Sequence, residues 1–250
     1  WTDRVANMAM AIMSKVEPEG GSAEGGLFGY AWAVLSGKDF RHNGEFYVDE
    51  LFAPVGGGPG TNGFDGWINW ANAACMGEIY IESIEVHEQR YPHIFEKVEV
   101  AIDSAGAGKY NGSPGIDVCY APMKDPMTVA GFFDGGKFPI KGVLGGDGGT
   151  LNKVFVINRK TGAKIREESL VGMLTINPGE ALLVTGDSGA GFGNPLERDP
   201  ERVCMDVKKG FVSVEKARET YGVVLLGSDP EEFTVNYETT AKIRREKGGK

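Results

Sequence analysis

Glycine punctuates this chain from one end to the other, and its placement restricts the fold more than any other feature. There are 38 glycines in 250 residues, about twice the usual share. They follow no Gly-X-Y period and sit between short apolar runs. A chain built this way turns tightly and often, which points to β-structure rather than to a triple helix or disorder. Apolar residues make up 41 % of it, enough for a sizeable core.

Apolar periodicity divides the chain into elements. Val5, Met8, Ala9, Ile12, Met13 and Val16 recur at helical spacing, with Thr2 able to cap and Asp3 suited to the first turn. A helix is therefore predicted over 3–16, with its methionines as core filler. Phe28, Tyr30, Trp32 and Val34 alternate with Gly29, Ala31 and Ala33, the period of a strand packed closely on both faces. Further strands are predicted at 45–53, 116–120, 127–133, 153–157, 170–176 and 181–185, and two strand-like stretches within 78–102 flank Tyr91-Pro92. Asp199-Pro200-Glu201 opens a helix that Gly210 ends, and Ser213 opens a second that Gly222 ends, each with the expected cap chemistry.

The fold class expected is α+β and β-dominated: a sandwich- or barrel-like β body with an N-terminal helix and two short C-terminal helices. The organisation expected is a β-rich region at 1–197, a helical appendage at 198–225 and a tail at 226–250. The basic end of that tail, 242–250, reads as solvated and frayed.

A net charge of −9 argues against nucleic acid as a partner, since phosphate binding needs a basic face. Cys75, Cys119 and Cys204 are far apart, odd in number and free of CxxC spacing, which points to a reduced, cytoplasmic protein. No apolar run reaches the roughly 18 residues of a membrane span, and the N-terminus does not read as a signal peptide. Residue 1 is Trp, and a helical pattern follows at once; the expectation is a clipped chain, or one half of a subunit that is a single chain elsewhere.

Self-sufficient catalytic chemistry is hard to find. His42, His87 and His93 share no metal-binding spacing such as HExxH, so no metal site is expected in this chain, and His93 reads as an ordinary surface or turn residue. The phosphate-loop pattern GxxxxGK[ST] is absent. The glycine clusters at 56–60 and 186–193 are read as sites of positive φ and close backbone approach. No serine lies in a GxSxG elbow. Glu82, Glu85 and Glu88 read as solvated charge.

The strongest candidate site is the loop over 56–73. Gly57 and Gly58 permit close backbone approach, Asp65, Asn69 and Asn72 offer directional polar groups, and Trp67 and Trp70 offer apolar walls. Two readings stay open for the polar members: they line a substrate pocket, or they cap turns.

Longer segments add a resemblance. Glu85-Val86-His87-Glu88-Gln89-Arg90-Tyr91-Pro92 resembles the hydantoinase-B pattern VEVLERRYP, and 103–112, DSAGAGKYNG, looks like the family's DSGGAGRYRGG segment. Asn177-Pro178-Gly179-Glu180, followed by GFGNPLERDP at 191–200, is similar to its PGD…GGGYGDPLERDP signature. The segment 206–217 and Tyr221-Gly222-Val223 match its end. The resemblance covers about residues 60–225 in four ordered blocks, fits less tightly over 1–58, and has no clear counterpart from Leu226 onward.

The hydantoinase-B/oxoprolinase family includes ATP-dependent hydantoinases, 5-oxoprolinases, lactamases and the alpha-type subunits of acetone and acetophenone carboxylases. The resemblance implies that this chain is the C-terminal part of a B-type subunit in a multi-subunit, ATP-dependent enzyme. The reaction implied is either ketone carboxylation or hydrolysis of a cyclic amide. A hydantoinase-A-type partner would bind ATP and Mg, and an N-terminal B-type half would hold a divalent transition metal (Mn, Zn or Fe). The alternative is a non-catalytic scaffold joining those subunits. One departure is informative. The hydrolytic members carry a histidine-containing stretch after the glycine loop, whereas here that stretch is Gly66-Trp67-Ile68-Asn69-Trp70-Ala71-Asn72-Ala73. Trp in place of His implies a more apolar pocket, suited to a ketone or aromatic substrate.

Overall fold

The computed structural model describes residues 2–26, 32–53, 56–70, 81–132, 135–168, 171–185 and 188–248. The expected β-dominated α+β architecture is present as two large antiparallel sheets and one two-stranded pair, with helices at both ends of the chain. The first sheet contains β1 (Trp32–Asp39), β2 (Glu45–Phe52), β5 (Met127–Phe132) and β8 (Val171–Ile176), in the order β2-β1-β5-β8. The second contains β3 (His93–Ala101), β4 (Gly115–Pro122), β6 (Lys153–Asn158), β7 (Lys164–Glu168) and β9 (Glu180–Thr185), in the order β3-β4-β9-β6-β7. Phe28 and Tyr30 of the first expected strand lie outside the described residues.

Period-2 alternation explains why these sheets stack. Leu35, Leu51, Met127, Val129 and Ile176 of the first sheet share one buried cluster with Val118, Tyr120, Val154, Val156, Leu182 and Val184 of the second. This is the core of a two-sheet sandwich. The alternate residues Cys119, Ala121, Phe155, Ile157 and Ala181 form a smaller cluster on the other face of the second sheet. Strand β7 escapes the sequence pattern because its residues, KIREE, are charged and mostly exposed, as suits an edge strand.

Between the sandwich and the chain ends lies a layer of irregular, glycine-rich segments bonded backbone to backbone. Gly60 N–H donates to Ala190 O, Ser113 N–H to Gly58 O, Gly189 N–H to Ser113 O, and Gly191 N–H to Asp147 O. The segments approach so closely that a Cβ on Gly112 would overlap Gly189, and one on Gly189 would overlap Gly58. Only glycine permits that spacing.

Three expectations about the helices are corrected. Helix α1 (Thr2–Val16) forms as predicted, but Met8 and Met13 are exposed rather than core filler. The helix instead buries Asn7, Ala11 and Ser14. Asn7 exchanges two hydrogen bonds with Gly25, and Ser14 Oγ donates to Ser22 O at 2.7 Å. These polar side chains satisfy backbone groups of the next segment, which fixes the inward face. The stretch before Tyr91 is not a strand but helix α2 (Ile84–Arg90), started by Ser83, whose Oγ accepts from Val86 N–H.

The described part of the basic end, 242–248, is not frayed. It belongs to helix α5 (Tyr237–Gly248), and Arg244 donates to the carbonyls of Tyr221 and Arg198. Ahead of it lies a short pair of strands, β10 (Leu225–Leu226) and β11 (Thr234–Val235); Val235 and the preceding Phe233 join one cluster with Val203, Cys204 and Val207 of α3 (Pro200–Lys208) and Ala217 of α4 (Val214–Glu219). The two expected C-terminal helices are α3 and α4, capped by Asp199 and Ser213 as the sequence indicates. No helix among the described residues is long and apolar enough to cross a membrane.

Candidate functional site

The loop after the glycine cluster meets the start of the C-terminal helices at a cavity of about 380 Å³. Its polar floor is built around Arg198, which is only 1 % exposed. The guanidinium holds Asp65 through two bonds, Nη1 to Oδ1 at 2.7 Å and Nη2 to Oδ2 at 2.9 Å. It also reaches Asp206 Oδ2 from Nε at 3.1 Å and from Nη2 at 2.8 Å. Arg202 adds a further bond to Asp65 at 2.7 Å. Asn111 joins the network: its backbone N–H donates to Asp65 and its Nδ2 to Asp206, while its Oδ1 accepts from Tyr221 Oη at 3.0 Å. Such bidentate Arg–carboxylate pairing fixes geometry as well as charge.

The two carboxyls respond differently. Burial would raise Asp65, but the bonds and charge of Arg198 outweigh it and hold the group below its ordinary range. Burial dominates at Asp206 and pushes it up, against the pull of Arg198. Trp67, Ile68, Phe211 and Val212 supply apolar walls, and Lys209 adds an ammonium group to the lining. A second hollow of about 300 Å³ on the other side of Trp67 is lined by Pro59, Thr61, Phe64 and Trp70.

Of the residues singled out in the sequence, Asp65 and Trp67 line both hollows. Gly57 and Gly58 do not. They are buried in the glycine layer, where Gly58 N–H donates to Trp67 O and Gly58 O accepts from Ser113 N–H. Asn69 is exposed and lines neither hollow; it takes a left-handed turn conformation with φ 61°, which asparagine tolerates better than most residues. Asn72 lies outside the described residues. Sequence reasoning missed Arg198, Asp206, Asn111 and Lys209. All four fall inside the segments that resemble the family, so those segments carried the signal.

The histidines also differ from expectation. His93 is not a surface residue: it is 0 % exposed, and His87 is 2 % exposed. Both face Asp49, itself 3 % exposed, and the three are positioned to ligate one ion. Burial and the neighbouring His87 push His93 down to about 3, so it is neutral. Burial opposes charge on His87 as well, but the carboxylates of Asp49 and Glu82 outweigh it and raise that group. Two of the glutamates read as solvated charge are engaged: Glu82 binds His87 and Arg90, and Glu88 accepts from Phe95 N–H at 2.7 Å.

A profile of the family described as hydantoinase B/oxoprolinase matches residues 1–195. The chain is 31 % identical over 230 residues to the beta subunit of the caprolactamase of Pseudomonas jessenii, covering 90 % of this chain and 39 % of that one. It is 29 % identical to the B subunit of a putative D-/L-hydantoinase from Pseudomonas sp. (strain NS671), covering 96 % of this chain and 38 % of that one. Its fold is similar to the crystal structure of ATP-dependent caprolactamase from Pseudomonas jessenii, with TM-score 0.72, 22 % identity and coverage of 93 % and 40 %. It is also similar to nucleotide-free acetone carboxylase, with TM-score 0.69, 22 % identity and coverage of 94 % and 34 %. The chain thus spans about two fifths of the length of the curated relatives it matches.

Proposed function

This chain belongs to the hydantoinase B/oxoprolinase family, and on that premise we propose that it forms the substrate-facing C-terminal part of a B-type subunit in an ATP-dependent enzyme that opens a cyclic amide or carboxylates a ketone. The observation that carries the reading is the cavity over Arg198, with a polar floor and apolar walls in one small volume. A small ring or ketone has the same division: one carbonyl and an apolar remainder. The floor would orient the carbonyl end, and Trp67, Ile68 and Phe211 would hold the apolar part.

In this reading ATP and Mg belong to a hydantoinase-A-type partner, and the metal used in the reaction belongs to an N-terminal B-type half. The names of the relatives support ATP use by such assemblies. The organisation into a β-rich region at 1–197, an appendage at 198–225 and a tail at 226–250 is kept as part of the proposal, with the amendment that appendage and tail act as one packed unit.

Trp67 tests the reading because it is 75 % exposed and its removal leaves the core intact. In the full assembly, Trp67→Ala should raise KM about tenfold for the preferred lactam, hydantoin or ketone, the loss expected when part of an apolar wall worth ~1–2 kcal/mol goes. Unchanged KM and kcat with all three substrate classes would remove the cavity from the catalytic path. The scaffold reading would then gain. One observation already favours it: Val5, Met8, Ile12, Met13 and Val16 of α1 form an exposed apolar face, the kind of surface that joins protein chains.

A further inference from the structure

We propose that Asp49, His87 and His93 bind a divalent transition-metal ion of the zinc class, at a structural site separate from the substrate cavity. The sequence assigns no metal to this chain, because the three residues lack a ligand spacing. The fold supplies one from three elements. Asp49 sits on β2 at an inward position, two residues from Leu51 of the core. His87 comes from α2, and His93 opens β3. The helix is fastened to the β1–β2 hairpin by Arg41, which holds Asp39 with its guanidinium and donates to Glu88 O at 2.9 Å and Gln89 O at 3.2 Å.

Three observations point to an ion. The first is burial without partners. Asp49 Oδ2, His87 Nε2 and both ring nitrogens of His93 are buried and make no hydrogen bond. An orphaned carboxylate oxygen beside orphaned imidazole nitrogens is costly, and a shared cation removes the cost for Asp49 Oδ2, His87 Nε2 and one ring nitrogen of His93.

The second is geometry. His87 Nε2 lies 3.0 Å from Asp49 Oδ2, and His93 Nε2 lies 3.6 Å from the same oxygen. Both pairs lie within ion-pairing distance, yet neither meets hydrogen-bond geometry. Ligands about 2.0–2.1 Å from a tetrahedral ion stand about 3.3 Å apart, a value the two separations bracket. One ligand atom from each residue falls within 4.8 Å of the others.

The third is the outer partner. Glu82 Oε2 lies 3.1 Å from His87 Nδ1, and Glu82 Oε1 is held by Arg90 at 2.7 Å. A carboxylate accepting from one imidazole N–H fixes the tautomer and leaves the other nitrogen as the electron-pair donor, which is how metal-ligating histidines are usually oriented. Two imidazoles and one carboxylate suit zinc, with cobalt as a spectroscopic substitute. The role assigned is to clasp α2 against β2 and β3, because none of the three residues lines the cavity over Arg198.

The test uses the full chain with any subunits that co-purify, stripped with chelator and reloaded with Zn²⁺ alone. Wild type should retain one more zinc per chain than Asp49→Asn or His93→Gln, a difference that cancels metals held elsewhere. Glu82→Gln should weaken retention about 10- to 100-fold without abolishing it. Loaded with Co²⁺, wild type should give the visible bands of a four-coordinate ion. His93→Cys should keep the ion and add a thiolate-to-cobalt charge-transfer band, which preserves the test if the Asn and Gln variants do not fold. Equal zinc in wild type and the two ligand variants, or no zinc uptake attributable to this chain, overturns the site.

Discussion

Arg198 concentrates the electrostatics of the candidate cavity in one side chain. Its guanidinium is buried and touches both Asp65 and Asp206, so removing either carboxylate leaves part of its charge unmatched. Asp65→Asn should destabilise the chain by about 2 kcal/mol at neutral pH, the scale of lost hydrogen bonds to a charged group. The pH dependence follows from the direction of each shift. Asp65 is held below its ordinary value. Its stabilisation is therefore present above the unfolded-state value of about 4 and is lost as pH falls through the lower folded value. Asp206 runs the other way: it is raised by burial, so its ionised form costs stability at neutral pH and that cost eases on acidification. Urea midpoints of wild type and Asp65→Asn, measured at neutral pH and below about pH 4, separate the two. The gap between the proteins should shrink in acid; a constant gap would mean that Asp65 acts through packing rather than charge.

At the scale of elements, the glycine layer makes the sharpest demand. A Cβ on Gly112 or Gly189 would collide with backbone atoms of a neighbouring segment, whereas one on Gly20 meets nothing within 4 Å. Gly112→Ala and Gly189→Ala should each cost about 3 kcal/mol or prevent folding, since backbone cannot step aside as a side chain can. Gly20→Ala should stay within about 0.5 kcal/mol of wild type. Thermal midpoints of the three variants check this; a tolerated alanine at both tight positions would mean that the layer can open. The loop over 56–70 rests on this layer through Gly58 and Gly60, so the same variants should perturb the cavity that Asp65 and Trp67 line.

For the molecule as a whole, the exposed face of α1 is the feature that a free chain would find hardest to keep in water. Val5 is 64 % exposed and Val16 74 % exposed, with Met8, Ile12 and Met13 between them. Contiguous apolar surface of this kind marks an interface. The chain should therefore self-associate when expressed alone, and Ile12→Gln with Val16→Gln should make it monomeric and, if the proposed assembly is right, weaken its capture by an N-terminal B-type half. Sedimentation of the two proteins, with and without that partner, reads both effects. A wild-type chain that is monomeric and indifferent to the substitutions would show that this face is simply tolerated.

Local pattern alone decided much of this protein. Short runs of apolar and β-branched residues set the strands beginning near Glu45, Met127 and Lys153, and Asp199-Pro200 and Ser213 set two helix starts. These signals are local because side-chain period and cap chemistry act within a few residues. What only the tertiary structure decided is which faces and side chains meet. The periodicity of α1 showed an apolar side but not that Asn7 and Ser14 would turn inward, because that depends on backbone groups of Ser22 and Gly25. Asp65 was legible as a candidate, yet its partners Arg198 and Arg202 reach it only when the C-terminal helices pack beside the glycine layer. The meeting of Asp49, His87 and His93 is the clearest case. No spacing along the chain encodes it, since it arises from the docking of α2 onto a strand hairpin and from the inward pleat of β2.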